Sequence, residues 1–132
     1  MESLNTCVRE YTAQLKKGKI QKACRGIMTF LSDLMSHLEK TYPGYALGAL
    51  YPGYMDMTYF AFTPPELKSK QLKIALVYLH EECRFELWLA ANNRRLQAQY
   101  IELFRQKKDT GGYALSQAAP GVDSILSFVA VE

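Results

Sequence analysis

The chain has 132 residues, which corresponds to a single domain over 1–132 at the usual size of about 100–200 residues per domain. Hydrophobic residues make up 48% and charged residues 22%, as in an ordinary globular protein, and a chain of this size needs no disulfide or metal to hold a core. The net charge of +3 is mildly basic and is not by itself the footprint of a nucleic-acid-binding protein.

The cysteines predict free thiols in a reducing compartment. Cys7, Cys24 and Cys83 are far apart and odd in number, and neither they nor His37 and His80 supply the closely spaced pairs of a zinc site. The N-terminal residues lack the basic and apolar regions of a signal peptide, and no apolar run approaches the ~20 residues of a membrane helix. We therefore expect a cytoplasmic protein that binds no membrane, metal or cofactor.

Two helices are predicted at the N-terminus. Residues 2–17 have one apolar face at helical spacing, and Gly18 after two lysines is typical of a helix end. A second helix is predicted over 19–41. The link is short, so the two helices form either a hairpin or one kinked helix. The predicted stripes are Leu4, Val8, Tyr11 and Leu15 in the first helix, and Ile20, Ala23, Ile27, Phe30 or Leu31, Leu34 and Leu38 in the second.

The central segment changes to a period of two. The sequence Tyr51–Tyr54, with Pro52 and Gly53 at its centre, predicts a type II turn between strands 45–50 and 55–62. One face of the second strand then carries Met55, Met57, Tyr59 and Ala61, and the other carries Asp56, Thr58, Phe60 and Phe62. This pattern predicts a β-hairpin.

A short helix and two further strands are predicted next. Thr63 and Glu66 flank two prolines in the pattern of a capping box, which predicts a helix to about Lys70. Residues 72–80 and 84–91 read as strands joined by a polar turn. Their bunching between helices favours an antiparallel sheet.

The C-terminal part is predicted to contain one long helix and one short element. Asn92 or Asn93 can cap the helix, and 109–121 reads as a loop. Residues 122–131 favour a short helix, with a strand as the alternative. The predicted fold is α+β: two N-terminal helices, a four-stranded antiparallel meander with a short inserted helix, a long C-terminal helix and a short final element. The apolar stripe of the long helix contains Leu96, Tyr100, Leu103 and Phe104.

Several segments resemble a family of uncharacterised small bacterial proteins described only as a domain of unknown function. The most distinctive is Gly53–Phe60, which reads GYMDMTYF. The resemblance implies a bacterial cytoplasmic protein and carries no activity with it. Members of that family usually continue with a further acidic helix, so the chain resembles a short or truncated member. The other resembling segments are Glu10–Thr12, Gln14–Gly18, Ile20–Ala23, Leu72–Ala75, Arg84–Ala90 and Gly121–Ile125.

A polar cluster on the predicted sheet is one candidate site. Arg84, Glu86 and Trp88 alternate on one strand and share a face, and Asp56 on the hairpin strand is expected within reach. Such a cluster is either an Arg–Glu pair on an ordinary sheet face or a polar pocket for a small molecule, with Trp88 as a stacking wall.

Catalytic motifs are not evident, and we name no catalytic residue. Asp56 with Glu66 and Lys68 matches the letters of a metal-dependent nuclease core, but Glu66 follows two prolines and belongs to a helix start rather than a strand. His80, Glu81 and Glu82 fit a solvated turn better than an acid–base pair.

The tyrosines of the hairpin are the second candidate site. Five of them crowd one segment near a basic cluster, Lys68–Lys73, and exposed tyrosines beside cations are typical of contact surfaces. We therefore favour a non-enzymatic macromolecule-binding module, a regulator or inhibitor that contacts another protein or a second copy. A small-molecule pocket is the alternative, and nucleic-acid binding is a third reading. The predicted binding residues are Tyr51, Tyr54, Asp56, Tyr59, Arg84, Glu86 and Trp88.

Overall fold

The computed structural model describes residues 3–107, 114–115 and 125–131. Their contacts group the chain into two compact units, Met1–Leu38 and Glu39–Glu132. The first unit is helical, and the second contains an antiparallel sheet with further helices, so the predicted α+β class is confirmed. The single domain over 1–132 stays a prediction.

The first unit holds α1 (Leu4–Lys16) and most of α2 (Lys19–Thr41), close to the predicted bounds. The Ser3 hydroxyl caps α1 by accepting a hydrogen bond from the backbone N–H of Thr6 at 3.2 Å. Gly18 ends the helix in the left-handed region, with φ of +77°. The predicted glycine break between the helices is confirmed.

The apolar stripe predicted on α1 does not become a core. α1 buries none of its residues, and Leu4, Val8 and Tyr11 are exposed. Helical spacing establishes that these side chains share a face but not that another element covers it. The stripe therefore takes no part in a packed helical hairpin. In α2 the structure decides between Phe30 and Leu31, because Leu31 is buried and Phe30 is exposed.

The second unit is built on an antiparallel sheet whose described strands follow the order β1-β2-β3-β4-β6-β5. The first four form the predicted meander, with α3 (Pro65–Lys68) inserted between β2 and β3. The four-stranded part of the prediction is thus confirmed, and β5 and β6 extend it beyond β4. The strands are β1 (Ala46–Leu47), β2 (Met57–Thr63), β3 (Leu72–Leu79), β4 (Arg84–Ala91), β5 (Ala114–Leu115) and β6 (Leu126–Val131).

The final element is a strand, so the preference for a helix was wrong. β6 pairs with β4, for instance Leu126 with Leu89, and continues the sheet past the predicted edge. A helical period over so few residues is a weak signal, whereas an open strand edge offers a row of backbone hydrogen bonds. Of the predicted loop 109–121, only β5 falls within the described residues.

The main core of this unit lies between one face of the sheet and α4 (Arg94–Lys107). Asn93 is the cap of α4, since its Oδ1 accepts from the backbone N–H of Leu96 at 2.8 Å. Leu103 of the predicted stripe is exposed, and Ile101 is buried in its place. The core contains Leu72, Ala91, Ile101 and Ile125, with Leu67, Leu89, Leu96, Tyr100 and Phe104 packed against it.

The predicted capping box of α3 was wrong. The N-cap of α3 is Pro64, which makes no side-chain capping bond, and the backbone N–H groups of Leu67 and Lys68 donate to the Pro64 carbonyl. Thr63 instead ends β2 and is buried there. A side chain committed to the sheet cannot also turn back to cap a helix.

Ile101 and Leu103 permit a matched test of which face of α4 packs in the core. We expect Ile101→Ala to lower the free energy of unfolding by about 3 kcal/mol, because a buried aliphatic side chain leaves a cavity. Leu103→Ala, on the exposed face of the same helix, should cost about 0.5 kcal/mol. Urea denaturation of both variants measures the difference, and equal losses would contradict this placement of α4.

Candidate functional site

The loop that precedes β2 is longer than the predicted tight turn. The backbone of Tyr51 pairs with that of Tyr59, with N–H to carbonyl distances of 2.7 Å and 3.0 Å. β2 therefore starts at Met57, and the loop runs over residues 52–56. Gly53 has φ of +70°, so a glycine in the left-handed region is confirmed. The predicted type II turn over Tyr51–Tyr54 was wrong, because the Tyr51 carbonyl accepts from Tyr59 and the Tyr54 N–H donates to Asp56.

Side chains close this loop on itself, which explains why it is wider than a β-turn. Asp56 Oδ1 accepts from the backbone N–H of Tyr54 at 2.9 Å. The buried Thr58 hydroxyl donates to the Pro52 carbonyl at 2.7 Å and lies 2.8 Å from His80 Nε2. A hydroxyl has one proton, so His80 donates the second bond. These bonds connect the loop to β2 and to the turn between β3 and β4.

The same loop presents its apolar side chains to solvent. Tyr54 is 89% exposed, and Tyr51 and Met55 are exposed as well. Met55 has φ of +66°, which turns the chain sharply at the apex. Tyr59, also predicted to bind, is only half-buried and its ring centroid lies 4.9 Å from that of Tyr51. The ring of Tyr51 therefore packs against the ring of Tyr59.

Acidic residues occur both in the loop and in the turn next to it. The turn between β3 and β4 adjoins the loop, since the backbone N–H of His80 donates to the Asp56 carbonyl at 3.1 Å. Glu81 and Glu82 follow in that turn and are exposed, as is Asp56. We call this end of the sheet the tip surface, which consists of Tyr51, Tyr54, Met55, Asp56, Glu81 and Glu82.

The basic cluster predicted beside the hairpin lies elsewhere. The chain reaches Lys68 and Lys73 only after β2 has run from Met57 to Thr63, about 20 Å at ~3.3 Å per residue. Antiparallel pairing of β2 with β3 then keeps this segment at the end of the sheet opposite the tip surface. Tyr51 and Tyr54 therefore lie away from Lys68 and Lys73, because β2 carries the chain from one end of the sheet to the other. Tyr59, within β2, lines one concavity together with Lys73.

Hydrogen bonds set the charge of Asp56. The backbone N–H groups of Tyr54 and Met57, together with its own, stabilise the carboxylate and lower the pKa of Asp56 below its ordinary value of 3.8. The nearby His80 acts in the same direction to a smaller extent. The carboxylate that shapes the loop therefore stays charged at neutral pH.

The predicted polar cluster of Arg84, Glu86 and Trp88 forms on β4. Arg84 Nε donates to Glu86 Oε2 at 2.8 Å, and Trp88 Nε1 donates to Glu86 Oε1 at 2.8 Å. Glu86 is only 7% exposed, yet both of its oxygens have partners and its charge is balanced. Asp56 is not part of this cluster, because its carboxylate is bound within the loop. The predicted grouping of Asp56 with the three β4 residues is therefore not found.

A concavity of about 280 Å³ opens on the sheet face that carries Trp88. Its floor is made of small side chains, Ala75 and Ala90, which are both buried. Tyr59 and Trp88 contribute flat rings to the lining, and Lys73 and Arg94 contribute cations. Neither Arg84 nor Glu86 lines it. Glu86 contributes by accepting the hydrogen bond from the indole of Trp88, which does line it.

Sequence reasoning missed this cavity and the roles of Lys73 and Arg94 in it. One signal was present. Ala75 and Trp88 are direct partners across β3 and β4, and Lys73 and Ala90 are the next such pair on that face. A large ring beside two alanines leaves space that a fully packed sheet face would fill.

The described residues offer few other sites. None of the three cysteines, which all lie in the described part, forms a disulfide. Within 3–107, 114–115 and 125–131, no group of three His, Cys, Asp or Glu side chains is placed to hold a metal ion. No helix in those ranges combines the length and apolar character needed to cross a membrane.

The comparisons with known proteins identify a family but no activity. The model of the family described as Domain of unknown function (DUF7000) matches residues 4–132, nearly the whole chain. Among curated proteins, none matches the chain. Among solved structures, none matches it either.

The loop depends on a glycine at position 53. We expect Gly53→Ala to destabilise the protein by about 2 kcal/mol, because the residue has a positive φ and a Cβ there would collide with the Met57 carbonyl oxygen. Gly44→Ala is the matched control, since a Cβ at Gly44 meets open space. Thermal unfolding of both variants tests this expectation, which fails if their losses are equal.

The loop should also resist acid. Because the folded-state pKa of Asp56 is lowered, its stabilising bonds persist below pH 3.8 and are lost only as the pH falls through the folded value. The backbone amide resonance of Tyr54 followed by NMR from neutral to acid pH should therefore titrate with a midpoint below 3.8. Asp56→Asn, which keeps an acceptor oxygen, should remove that titration. A midpoint at or above 3.8 would contradict the bonding scheme.

Proposed function

We propose that this chain, which belongs to the family described as Domain of unknown function (DUF7000), is a non-enzymatic protein-binding module whose contact face is the tip surface. The observation that carries the proposal is the exposure of Tyr54, an aromatic side chain at 89%, on a loop whose backbone is held by side-chain hydrogen bonds. Tyr51 and Met55 are exposed with it, and exposed apolar side chains that lie together, unlike single ones, mark interaction sites.

Tyrosine at such a position suits protein contacts. Its ring buries a large apolar area, it has few rotatable bonds, and its hydroxyl can still find a hydrogen-bond partner. Hydrogen bonds already restrain the loop, which reduces the conformational entropy that it loses on binding a partner. Met55 beside Tyr54 adds an adaptable apolar contact.

The charge of the tip surface limits the class of partner. Asp56, Glu81 and Glu82 are exposed around the aromatics, so a complementary face would carry Arg or Lys between apolar side chains. The same carboxylates repel phosphate groups, which argues against nucleic acid at this end of the sheet. A second copy of the chain offers no such complementarity at the tip itself.

The biological role follows as part of the proposal. A small module with one rigid contact face suits a regulator or inhibitor that binds a larger protein. The bacterial cytoplasmic setting implied by the family resemblance stays a prediction.

The decisive variant is Tyr54→Ala. Its side chain is exposed and the loop uses only its backbone N–H, so the fold should be unaffected. We expect a partner captured from a bacterial lysate by the wild-type protein to bind this variant roughly thirtyfold more weakly, about 2 kcal/mol, as for an interface hot spot. Tyr11→Ala on α1 removes another exposed tyrosine and should bind as the wild type does.

Two outcomes would count against the tip surface. Equal loss of binding in both tyrosine variants would place the contact elsewhere or make it nonspecific. No specific partner from either form would remove the support for a protein-binding role. Glu81→Lys with Glu82→Lys adds a charge test, since reversing both charges should slow association with a basic partner and reduce its salt dependence.

A further inference from the structure

The concavity on the sheet has the construction of a ligand site, and none of the tip-surface residues lines it. Its small floor residues, Ala75 and Ala90, leave room above the sheet, and Val77 beside them is buried. Tyr54, the central residue of the tip surface, does not line it. A concave apolar floor with a few polar groups at its rim is the usual form of a small-molecule pocket.

The Trp88 ring in this cavity is held in place. Its indole N–H donates to Glu86 Oε1 at 2.8 Å, and the other oxygen of Glu86 accepts from Arg84 at 2.8 Å. Because the Glu86 carboxylate is buried and doubly bound, the indole has a fixed orientation. A fixed flat ring favours a flat ligand that stacks against it, since ordering the ring costs nothing on binding.

Lysine supplies a cation at the edge of the cavity. Among the described residues, the lining contains Lys73, Arg94 and amide side chains, and none of these lining residues is a carboxylate. Arg94 begins α4, whose first turn has no acidic residue and whose positive dipole end lies at Asn93, also in the lining. The buried carboxylate nearest in sequence, Glu86, is already paired with Arg84. The ammonium group of Lys73 and the N-terminal end of the α4 dipole therefore favour an anion at the rim.

We infer that this cavity binds a small planar organic anion, with its ring against Trp88 and its carboxylate or phosphate towards Lys73. The volume of about 280 Å³ is at the lower limit of ligand pockets, about 300–1,000 Å³, which restricts the ligand to one or two rings. Ala75 and Ala90 define the depth available to the ring, and Lys73 defines the position of the charge.

A single tryptophan makes the site directly observable. The chain contains one Trp, so the indole N–H gives one NMR resonance, and that resonance belongs to Trp88. The probes are 2-naphthoate, 1-naphthyl phosphate, the neutral 2-naphthamide and inorganic phosphate. We expect at least one of the two aromatic anions to shift the indole resonance saturably. The better of the two distinguishes a carboxylate from a phosphate ligand.

2-Naphthamide tests the need for the charge, and inorganic phosphate tests the need for the ring. 2-Naphthamide should bind about tenfold more weakly than 2-naphthoate, the effect of losing one charge-assisted contact. Inorganic phosphate, which has no ring, should not shift the indole resonance. Equal affinity for naphthoate and naphthamide would overturn the anionic assignment, and no shift with either aromatic anion at millimolar concentration would overturn the site.

Variants locate the two recognition elements. Lys73→Gln should weaken 2-naphthoate about tenfold and leave 2-naphthamide unchanged, whereas Lys68→Gln on α3, outside the cavity, should change neither. Ala75→Leu should fill the floor and abolish both. If Ala75→Leu does not fold, the two lysine variants still test the site. Equal effects of Lys73→Gln and Lys68→Gln on 2-naphthoate binding would overturn the placement of the anion at Lys73. Tyr54→Ala should bind every probe as the wild type does, which keeps this result independent of protein binding.

Discussion

The antiparallel pairing of β3 with both of its neighbours is the constraint on which the two candidate sites depend. Val77 lies opposite Tyr59 on β2 and opposite Glu86 on β4. Because side chains alternate along a strand, a shift of one residue in either pairing would move a whole row to the other face. In the observed register Trp88 and Tyr59 share the face of the cavity, while Asp56 falls at the strand end and shapes the tip loop.

A buried carboxylate in the middle of a sheet is costly unless its charge and its lone pairs are satisfied. Glu86 meets that condition through Arg84 and Trp88, both two residues away on the same strand. The whole cluster is local, and the alternation of β4 was enough to predict it from the sequence. Asp56 was different, because its grouping with β4 required knowledge of where a separate loop would end.

The same division explains the rest of the comparison between sequence and structure. Turn and cap chemistry is local, so the left-handed Gly53 and the capping by Asn93 were predictable, although Asn92 was an equal candidate. Long-range placement was not. Ile101 rather than Leu103 faces the core because of how α4 lies on the sheet, and the last segment became β6 because β4 had an open edge.

The tip loop separates two kinds of evolutionary constraint on adjacent residues. The backbone of the loop admits nothing larger than glycine at position 53, whatever the protein binds. The side chain of Tyr54 contributes nothing to the loop's own bonds, so under the proposed function a substitution at that position acts through the partner alone. That role would let residue 54 vary with the partner on an unchanged scaffold, in the way that an antibody loop varies on a constant framework.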